Sequence, residues 1–404
     1  MPASHPQSGA ARLGLLALCL ALLHPGCRHA ALGPEELPMQ TSPYAQWTRG
    51  PSTDPAFFPI GVWLQDPKNA PHFKEAGVNV FVGLWEGPNE EQLAGLQAAG
   101  MQVICAPNAV GLKHLEDPTI IAWMHGDEPD NAQPAAGGGW GPAIPPAKII
   151  ADYQHLAAKD PSRPVWLNLG QAVANEEWVG RGAPWEDYPE YCKGADVLSF
   201  DVYPVAGIQK PDGENYLWYV AKGVDRLRQW SAGKTVWNVI ETTRIQSDRK
   251  ATPAQVRAEV WMSLIHGSQG IIYFVHEWEP VFVEARLLQD PEMLAAVTAI
   301  NQQIRELAPV LNSPNAERAQ VVSSVLGVPI DLMTKEHGGD LYIFAAAMRP
   351  GSTQGTFQLS GIKGKKSAEV LGEDRHIEVK DSSFTDEFGE YAVHLYRIEG
   401  AGLR

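Results

Sequence analysis

The feature that most constrains the fold is a repeated pattern between residues 57 and 312. Short apolar runs alternate there with amphipathic segments, and nearly every run is followed by a helical pattern. The eight runs read FFPIGVWL, VNVFVGLW, MQVICAPN, TIIAWMHGDEP, PVWLNLG, ADVLSFDVYP, KTVWNVIETT and SQGIIYFVHEW. They are apolar throughout instead of alternating, which is typical of parallel strands that are covered on both faces.

Eight strand–helix units over about 250 residues predict a (β/α)8 barrel. Proline directly after Thr252 and after Asp290 marks helix starts within this pattern. A doubly wound sheet is the alternative, but the first strand, IGVWLQD, is not followed by the glycine-rich turn that binds phosphate in such sheets. We therefore predict an α/β fold with a TIM barrel over residues 57–313.

The pattern of apolar and turn residues in the sequence changes after Pro314. Short strand-like runs are separated there by Gly, Asp and Ser: AQVVSSVLG, DLYIFAAAM, GTFQLSG, SAEVLG, HIEVKD and YAVHLYRIEG. This spacing predicts a small antiparallel β-sandwich over residues 314–404. No tryptophan follows Trp278, so the sequence favours structural packing on the barrel over sugar binding for this domain.

The N-terminus resembles an export signal over residues 1–26. Its apolar core, residues 13–23, is shorter than the roughly 20 residues that a transmembrane helix needs. The following Gly-Cys pair resembles the end of a bacterial lipobox, which would place a lipid anchor on Cys27; simple cleavage to a soluble product is the alternative. Both predict a periplasmic, cell-surface or secreted protein. Residues 27–56 read as a linker or an arm.

Charge and cysteine content limit the partners. The 404-residue chain has a formal net charge of −15 and a pI of about 5.3. Such an acidic surface repels phosphate backbones, so nucleic acid is excluded as a partner and neutral ligands fit better. Only Cys105 and Cys192 lie beyond the export signal and its border, and the Cys/His spacings of zinc sites are absent. We expect no cofactor.

Active sites of such barrels form at the carboxyl ends of the strands. Two acids occupy those positions on opposite sides of the barrel mouth: Glu128 follows the fourth strand, and Glu241 ends the seventh. Facing carboxylates suit glycosidic bond cleavage, because a protonated one donates to the leaving oxygen while an ionised one attacks the anomeric carbon. A separation of about 5–5.5 Å predicts retention of configuration, and a wider one predicts inversion.

Acids at the ends of strands four and seven resemble those of glycoside hydrolase clan A, the retaining (β/α)8 glycosidases. The resemblance implies that Glu128 is the acid/base and Glu241 the nucleophile. The segment SFDVYP is similar to the sixth strand of these enzymes, which makes Tyr203 the candidate partner of the nucleophile. Trp278 matches the eighth-strand tryptophan beside the cleaved bond. The clan has Asn before its acid/base, whereas this chain has Asp127.

The sequence thus predicts an exported retaining glycoside hydrolase that cleaves neutral, β-linked oligo- or polysaccharides by double displacement. Two alternatives stay open: a catalytically silent barrel that binds carbohydrate, and a metal-dependent hydrolase that uses Asp127 and Glu128. Polar and aromatic residues at the strand ends are the candidate substrate-binding groups. They are Trp63, Trp85, Glu86, Asp127, Asn168, Asp201, Tyr203, His276, Glu277 and Trp278.

Overall fold

Eight parallel strands form a closed barrel in which each strand pairs with the next and the eighth pairs with the first. This confirms the predicted (β/α)8 fold. The strands are β1 (Ile60–Trp63), β2 (Val80–Val82), β3 (Gln102–Cys105), β4 (Ile120–Met124), β5 (Val165–Leu169), β6 (Val197–Asp201), β7 (Thr235–Glu241) and β8 (Ile271–Phe274).

The structure is a computed structural model that describes residues 42–177, 182–207, 213–245 and 247–402. The predicted export signal and the predicted lipid site at Cys27 lie outside the described residues. All described residues belong to one compact unit, Met39–Arg404. Among these described helices, none combines the length and the apolarity that a membrane crossing requires.

Helices surround the barrel, and three of them begin at a capping side chain. Asn89 and Thr252 each form a capping box with the glutamine three residues later, and Asp290 caps the last helix. The helices are α1 (Ala70–Glu75), α2 (Glu90–Ala99), α3 (Pro146–Lys159), α4 (Tyr188–Tyr191), α5 (Tyr219–Trp230), α6 (Pro253–Ile265) and α7 (Pro291–Leu311). Between β3 and β4 the connection has a short 3-10 turn, Gly111–Lys113, in place of a longer helix.

Alternation along the strands divides their side chains between the barrel interior and the helical layer. In β7, Trp237 and Val239 join the interior group, while Val236 and Ile240 pack with the helices. The interior group contains Trp63, Val80, Val82, Ile104, Trp166, Val197, Trp237, Val239, Ile272 and Phe274. These large side chains fill the barrel, so its centre is a packed core.

The N-terminal arm contributes one side chain to this interior. Tyr44 is buried, accepts a hydrogen bond from Nε1 of Trp237 at 2.9 Å and donates to the carbonyl of Gln269 at 3.1 Å. Because Gln269 lies just before β8, the arm covers the end of the barrel at which the strands begin. That end is opposite to the one where an active site is expected.

The C-terminal residues form two antiparallel sheets, which confirms the predicted β-sandwich. The strands are β9 (Ala319–Ser323), β10 (Ile330–His337), β11 (Asp340–Ala347), β12 (Thr353–Leu359), β13 (Lys366–Val370), β14 (Arg375–Val379), β15 (Ser383–Phe388) and β16 (Val393–Ile398). One sheet has the order β10-β11-β16-β13-β14 and the other the order β15-β12-β9. Phe357 and Phe384 stack in the sandwich core, with ring centroids 4.6 Å apart.

The sandwich is attached to the barrel through α6. Trp261 is fully buried and stacks on Phe344 of β11, with ring centroids 5.4 Å apart and planes inclined by 21°. One turn earlier, Arg257 donates to the carbonyl of Val393 at 3.0 Å. Large, flat contacts of this kind exclude water from the junction, so the barrel and the sandwich share one continuous core.

Candidate active site

One amide side chain joins acids from two strands. Asn168 of β5 donates from Nδ2 to Asp127, which follows β4, at 3.0 Å, and to Asp201, which ends β6, at 3.1 Å. The oxygen of the same amide accepts from the hydroxyl of Ser199 at 2.6 Å. A flipped amide would put its oxygen against two carboxyl groups, so this network fixes the orientation of Asn168. The structure therefore brings together three of the predicted site residues.

Glu128 belongs to the same cluster. Its carboxyl group shares a hydrogen bond with Asp201, to which the hydroxyl of Tyr203 also donates. Two carboxyl groups in hydrogen-bond contact must share a proton, since ionised carboxylates only accept. Burial, followed by the charges of Glu128 and Asp127, raises the pKa of Asp201 well above its ordinary value. Asp201 is consequently the group that keeps this proton.

Asp127 combines an exposed residue surface with a desolvated carboxyl group. The residue is exposed to solvent, yet protein atoms surround its carboxyl group closely enough that desolvation, followed by the charge of Glu128, raises its pKa to about 7. Part of Asp127 is thus in contact with solvent, while its carboxyl group lies among protein atoms and close to Glu128.

The acids of the segment WMHGDEPD differ in their contacts. Glu128 has a left-handed backbone with φ 42°, and its Oε2 accepts from Nδ2 of Asn131 at 3.0 Å. Asp130 is buried; it accepts from the backbone N–H of Gly170 at 3.0 Å and from the hydroxyl of Tyr188 at 2.8 Å. Asp130 therefore ties the turn to β5. A Cβ at Gly170 would lie 2.9 Å from Oε1 of Glu128, so a larger residue at this position would displace that carboxyl group.

Glu241 is placed differently from the other acids. It is fully buried, and its two oxygens accept from the backbone N–H groups of Val205 at 2.7 Å and Ala206 at 2.6 Å. Its carboxyl group also contacts that of Glu259, a fully buried residue of α6. The hydrogen bonds of Glu241 thus go to the segment after β6 and to α6, not to the carboxyl groups of Asp127 and Glu128.

The contact between Glu241 and Glu259 contains a proton. No donor among the described residues reaches either oxygen of Glu259, so a hydrogen bond between the two acids requires one of them to be protonated. Burial raises the pKa of Glu241 to about 7 and that of Glu259 well above its ordinary range. The pair is a closed unit in which Glu259 donates and Glu241 accepts.

Aromatic rings collect at the end of β8. His276 is buried and donates from Nε2 to the carbonyl of Leu64 at 2.9 Å; burial lowers its pKa. Trp85 stacks on this imidazole, with ring centroids 5.5 Å apart. Trp278 and Phe282 lie beyond it on the rim, and both are exposed. His276 is therefore held inside an aromatic group whose outer members can contact a ligand.

The remaining predicted residues lie outside the acid cluster. Glu277 is buried and accepts from Arg244 at 2.6 and 3.2 Å, and this contact lowers the pKa of Glu277. Trp63 is 7% exposed and packs inside the barrel against Trp166, with ring centroids 6.0 Å apart. Glu86 is an exposed residue in the turn after β2.

Several residues of the site were not identified from sequence. Ser199 precedes Asp201 by two positions and therefore shares its inward face, so the period of the strand could have revealed it. Phe282 lies in a loop without periodicity, and Glu259 stands alone in an apolar helix. Neither Phe282 nor Glu259 has a sequence pattern around it that would predict its position in the site. Within the described ranges, no group of three or more His, Cys, Asp or Glu residues is arranged to hold a metal ion.

No protein-family model and no curated protein matches the sequence. The fold is similar to solved structures of glycoside hydrolases. AmyP in complex with maltose has a TM-score of 0.49 and 9% identity, with 87% of this chain and 98% of that chain covered. A GH30 endoxylanase from Clostridium papyrosolvens has a TM-score of 0.47 and 14% identity, with coverage of 89% and 97%. A putative alpha-galactosidase/melibiase from Bacteroides fragilis has a TM-score of 0.49 and 8% identity, with coverage of 85% and 79%.

Because each of these TM-scores is below 0.5, the function proposed below rests on the side chains of this protein.

The buried acid pair predicts a specific dependence of stability on pH. An unfolded glutamate titrates at about 4.3, whereas burial raises the pKa of Glu241 to about 7 and that of Glu259 well above its ordinary range. The folded state therefore binds more protons in this window, and the free energy of unfolding falls as pH rises through it. In the variant Glu259→Gln, the amide donates to an ionised Glu241. We expect the decrease between about pH 4.5 and 7.5 to be about 3 kcal/mol smaller than in the wild type.

Urea denaturation at several pH values measures this difference. The matched control is Glu91→Gln, which alters an exposed glutamate of α2 and should leave the slope unchanged. Equal slopes for Glu259→Gln and the wild type would show that the pair does not retain a proton.

Proposed function

We propose that this protein is a glycoside hydrolase whose reacting acids are the carboxyl groups at the ends of β4 and β6. The observation that carries the proposal is the bridge formed by Asn168 between Asp127 and Asp201, with Glu128 in hydrogen-bond contact with Asp201. Three carboxyl groups this close cannot all be ionised near neutral pH. The cluster therefore offers a proton donor beside an ionised carboxylate, the combination that glycosidic bond cleavage uses.

We propose retention of configuration by double displacement on a neutral, β-linked oligo- or polysaccharide. The support is the resemblance of the strand ends to the retaining clan A glycosidases, together with the compact acid cluster, in which one nitrogen of Asn168 lies 3.0 Å from Oδ1 of Asp127 and 3.1 Å from Oδ1 of Asp201. Retaining enzymes have their two reacting carboxyl groups about 5–5.5 Å apart, and inverting ones about 6.5–9.5 Å. The proposal therefore requires the carboxyl groups of Glu128 and Asp127 to lie in the first range when substrate is bound.

In the proposed first step, the proton held by Asp201 passes through Glu128 to the leaving oxygen, while ionised Asp127 attacks the anomeric carbon and the glycosidic bond breaks. Asp201 shares its proton with Glu128, and Tyr203 stabilises the charge that Asp201 acquires. In the second step, Glu128 accepts a proton from water, which then releases the sugar from the enzyme. The pKa of about 7 for Asp127 leaves this carboxyl group partly ionised near neutral pH.

Two residues are candidates for the nucleophile. The clan A resemblance predicts Glu241, and the geometry favours Asp127. Asp127 is open to solvent, whereas Glu241 is fully buried with both oxygens occupied by backbone N–H groups. These two hydrogen bonds and its burial hold the carboxylate of Glu241 inside the protein, whereas part of Asp127 is in contact with solvent. We therefore propose Asp127 as the nucleophile and Glu241 as a positioning residue for the segment that follows Tyr203.

Substitution of single acids tests these roles. We expect Glu128→Gln, Asp127→Asn and Asp201→Asn each to lower kcat by about 100-fold or more, because each removes a proton donor, an acceptor or the nucleophile. The assay uses aryl β-glycosides and neutral polysaccharides, with Glu91→Gln as the surface control. A wild type that binds these polysaccharides and hydrolyses none of them would contradict the proposal and favour the silent carbohydrate-binding alternative.

The stereochemical course and a covalent trap separate the two nucleophile assignments. We expect NMR to detect the β-anomer as the first product from a β-glycoside, as retention requires. A 2-deoxy-2-fluoro-β-glycoside of the preferred sugar should leave its sugar on the peptide that contains Asp127, as seen by mass spectrometry after proteolysis. Labelling at Glu241 would restore the assignment from the resemblance, and an α-anomer as first product would exclude double displacement.

We further propose that the protein is exported, with residues 1–26 removed and a lipid on Cys27. The support is the short apolar core at residues 13–23 and the Gly-Cys pair that follows it. Expression in a bacterium that processes lipoproteins should place the chain in the membrane fraction, and Cys27→Ser should release it from that fraction. A cleaved protein with an unmodified Cys27 would contradict lipidation, and an uncleaved cytoplasmic protein would contradict export.

A further inference from the structure

A cavity of about 280 Å³ lies at the end of the barrel where the strands begin. Its lining includes Pro43 of the arm, Phe58 before β1, Gln269 before β8, and Met333 and Lys335 of β10 in the sandwich. The volume is many times the roughly 30 Å³ that a water molecule occupies in the liquid. The cavity is therefore large enough for a small organic molecule, and it lies at the opposite end of the barrel from the acid cluster.

The ammonium group of Lys335 is buried at this cavity. The residue is 6% exposed, and its Nζ donates to the carbonyl of Ser313 at 2.5 Å. An ammonium has further N–H donors beyond the one that this carbonyl uses. Burial lowers the pKa of Lys335 to about 8, and no carboxylate among the described residues opposes this shift. A buried charge of this kind is costly unless other groups accept its remaining hydrogen bonds, and the cavity offers a ligand access to them.

A second cation, Arg228 near the end of α5, lines the same cavity. Its Nη1 donates to the carbonyl of His266 at 2.8 Å. The guanidinium lies against the backbone of Gly267, where a Cβ would be 2.7 Å from Nη1 and 2.9 Å from Cζ. A guanidinium has further N–H donors in the same plane, which suit the oxygens of a carboxylate or phosphate group.

The lining of the cavity is positively charged. Lys234 is its third basic residue, although Nζ of Lys234 donates to the carbonyls of Cys192 at 2.9 Å and Ala195 at 2.6 Å. Of the described residues that line the cavity, none is acidic. The chain as a whole has a net charge of −15, so a cationic cavity is an exception in this protein. Such a lining attracts anions.

Two acids close to these cations along the chain are paired with another group. Asp225, one turn before Arg228 on α5, and Asp331, one residue after the start of β10, contact His266 at 2.9 and 3.2 Å. Burial lowers the pKa of His266, but the hydrogen bonds to these two carboxylates raise it to about 9. The imidazolium therefore neutralises both acids in part, and the charges of Lys335 and Arg228 remain available to a ligand.

Helix capping explains only part of this arrangement. Ser313 follows α7 and His266 follows α6, so each cation donates to a carbonyl near a helix end, as basic side chains commonly do. Capping accounts for one hydrogen bond of each cation. It does not account for a cavity that the two cations share with an apolar wall. This wall consists of Phe58, Leu264, Leu311 and Met333, all of them buried.

We propose that this cavity binds a small organic anion. Its carboxylate or phosphate group accepts hydrogen bonds from Lys335 and Arg228, and its apolar part packs on the apolar wall. The ligand contacts the arm, the barrel and the sandwich at once, so its binding stabilises their junction. The inference does not depend on the proposed function, because the cavity lies away from the acid cluster.

Calorimetry at constant ionic strength tests the proposal. It measures Kd for benzoate, hexanoate and phenyl phosphate, with inorganic phosphate and neutral benzyl alcohol for comparison. We expect at least one of the three organic anions to bind with a Kd below about 1 mM and about tenfold more tightly than either comparison ligand. The same anion should raise the Tm of the protein, because it binds the folded state. Benzoate and phenyl phosphate together show which anionic group the site prefers.

Substitution of the two cations locates the binding. We expect Lys335→Met, which removes the charge and keeps an unbranched side chain, to weaken binding about tenfold or more, and Arg228→Gln to do the same. The matched control is Lys365→Met, which alters an exposed lysine of the sandwich and should change Kd less than about twofold. Arg228 is an exposed residue, so its variant provides the test even if Lys335→Met does not fold.

Several outcomes would overturn the inference. These are no binding of any of the three organic anions by the wild type, undiminished binding by both variants, and binding of benzyl alcohol as tight as that of the anions. Loss of stability in Lys335→Met, without anion binding by the wild type, would assign the cations to helix capping alone. Anion binding that occurs only in the double variant Glu35→Gln/Glu36→Gln would also overturn the inference and assign the cavity to acids of the chain's own arm.

Discussion

Closure of the barrel is the constraint on which the site depends. Eight strands can close only if their inward side chains fill the space between them, and near the bottom Trp166 and Trp237 do so. The same alternation that turns Trp166 inward turns Asn168 inward two residues later, at the open end of β5. There, polar groups replace the packed core. The acid cluster is thus the continuation of the barrel interior toward solvent, and its spacing is inherited from the spacing of the strands.

Near this open end the protein has more carboxyl groups than cations. Burial raises the pKa of Asp127, Asp130 and Glu241 to about 7, and that of Asp201 higher still. Such groups hold protons at a pH where exposed acids have lost them, and each costs stability when it ionises in place. A barrel that served only as a scaffold would gain no stability from keeping these buried acids together. Groups with perturbed pKa values in a cleft are the expected sign of acid–base chemistry.

The sequence predicted the parts of this protein that follow from periodicity. The barrel and its strand ends come from apolar runs that alternate with amphipathic helical segments, and the sandwich comes from short runs separated by turn residues. Asp127, Glu128, Asn168 and Asp201 were found because the strand ends were known. The sequence pattern does not predict the direction in which a side chain at a strand end points. Glu241 turns to the backbone N–H groups at Val205, and the position of those groups is set by a loop that has no periodic signal. Strands β10 and β15 were not predicted from the sequence, because charged residues at several positions weaken their local preference for a strand. Pairing with their long neighbours β11 and β12 stabilises them as strands in the folded protein.

One helix places two distant parts of the molecule in mechanical contact. Glu259 on α6 meets Glu241, which holds the segment that follows Tyr203, while Trp261, two residues later, is seated on Phe344 of the sandwich. The sandwich therefore packs against the helix that contacts Glu241. A series of buried contacts runs from Phe344 of the sandwich through α6 and Glu241 to the segment that follows Tyr203. The C-terminal sandwich is a separate stretch of the sequence, but its packing against α6 makes it part of the structure that supports the site.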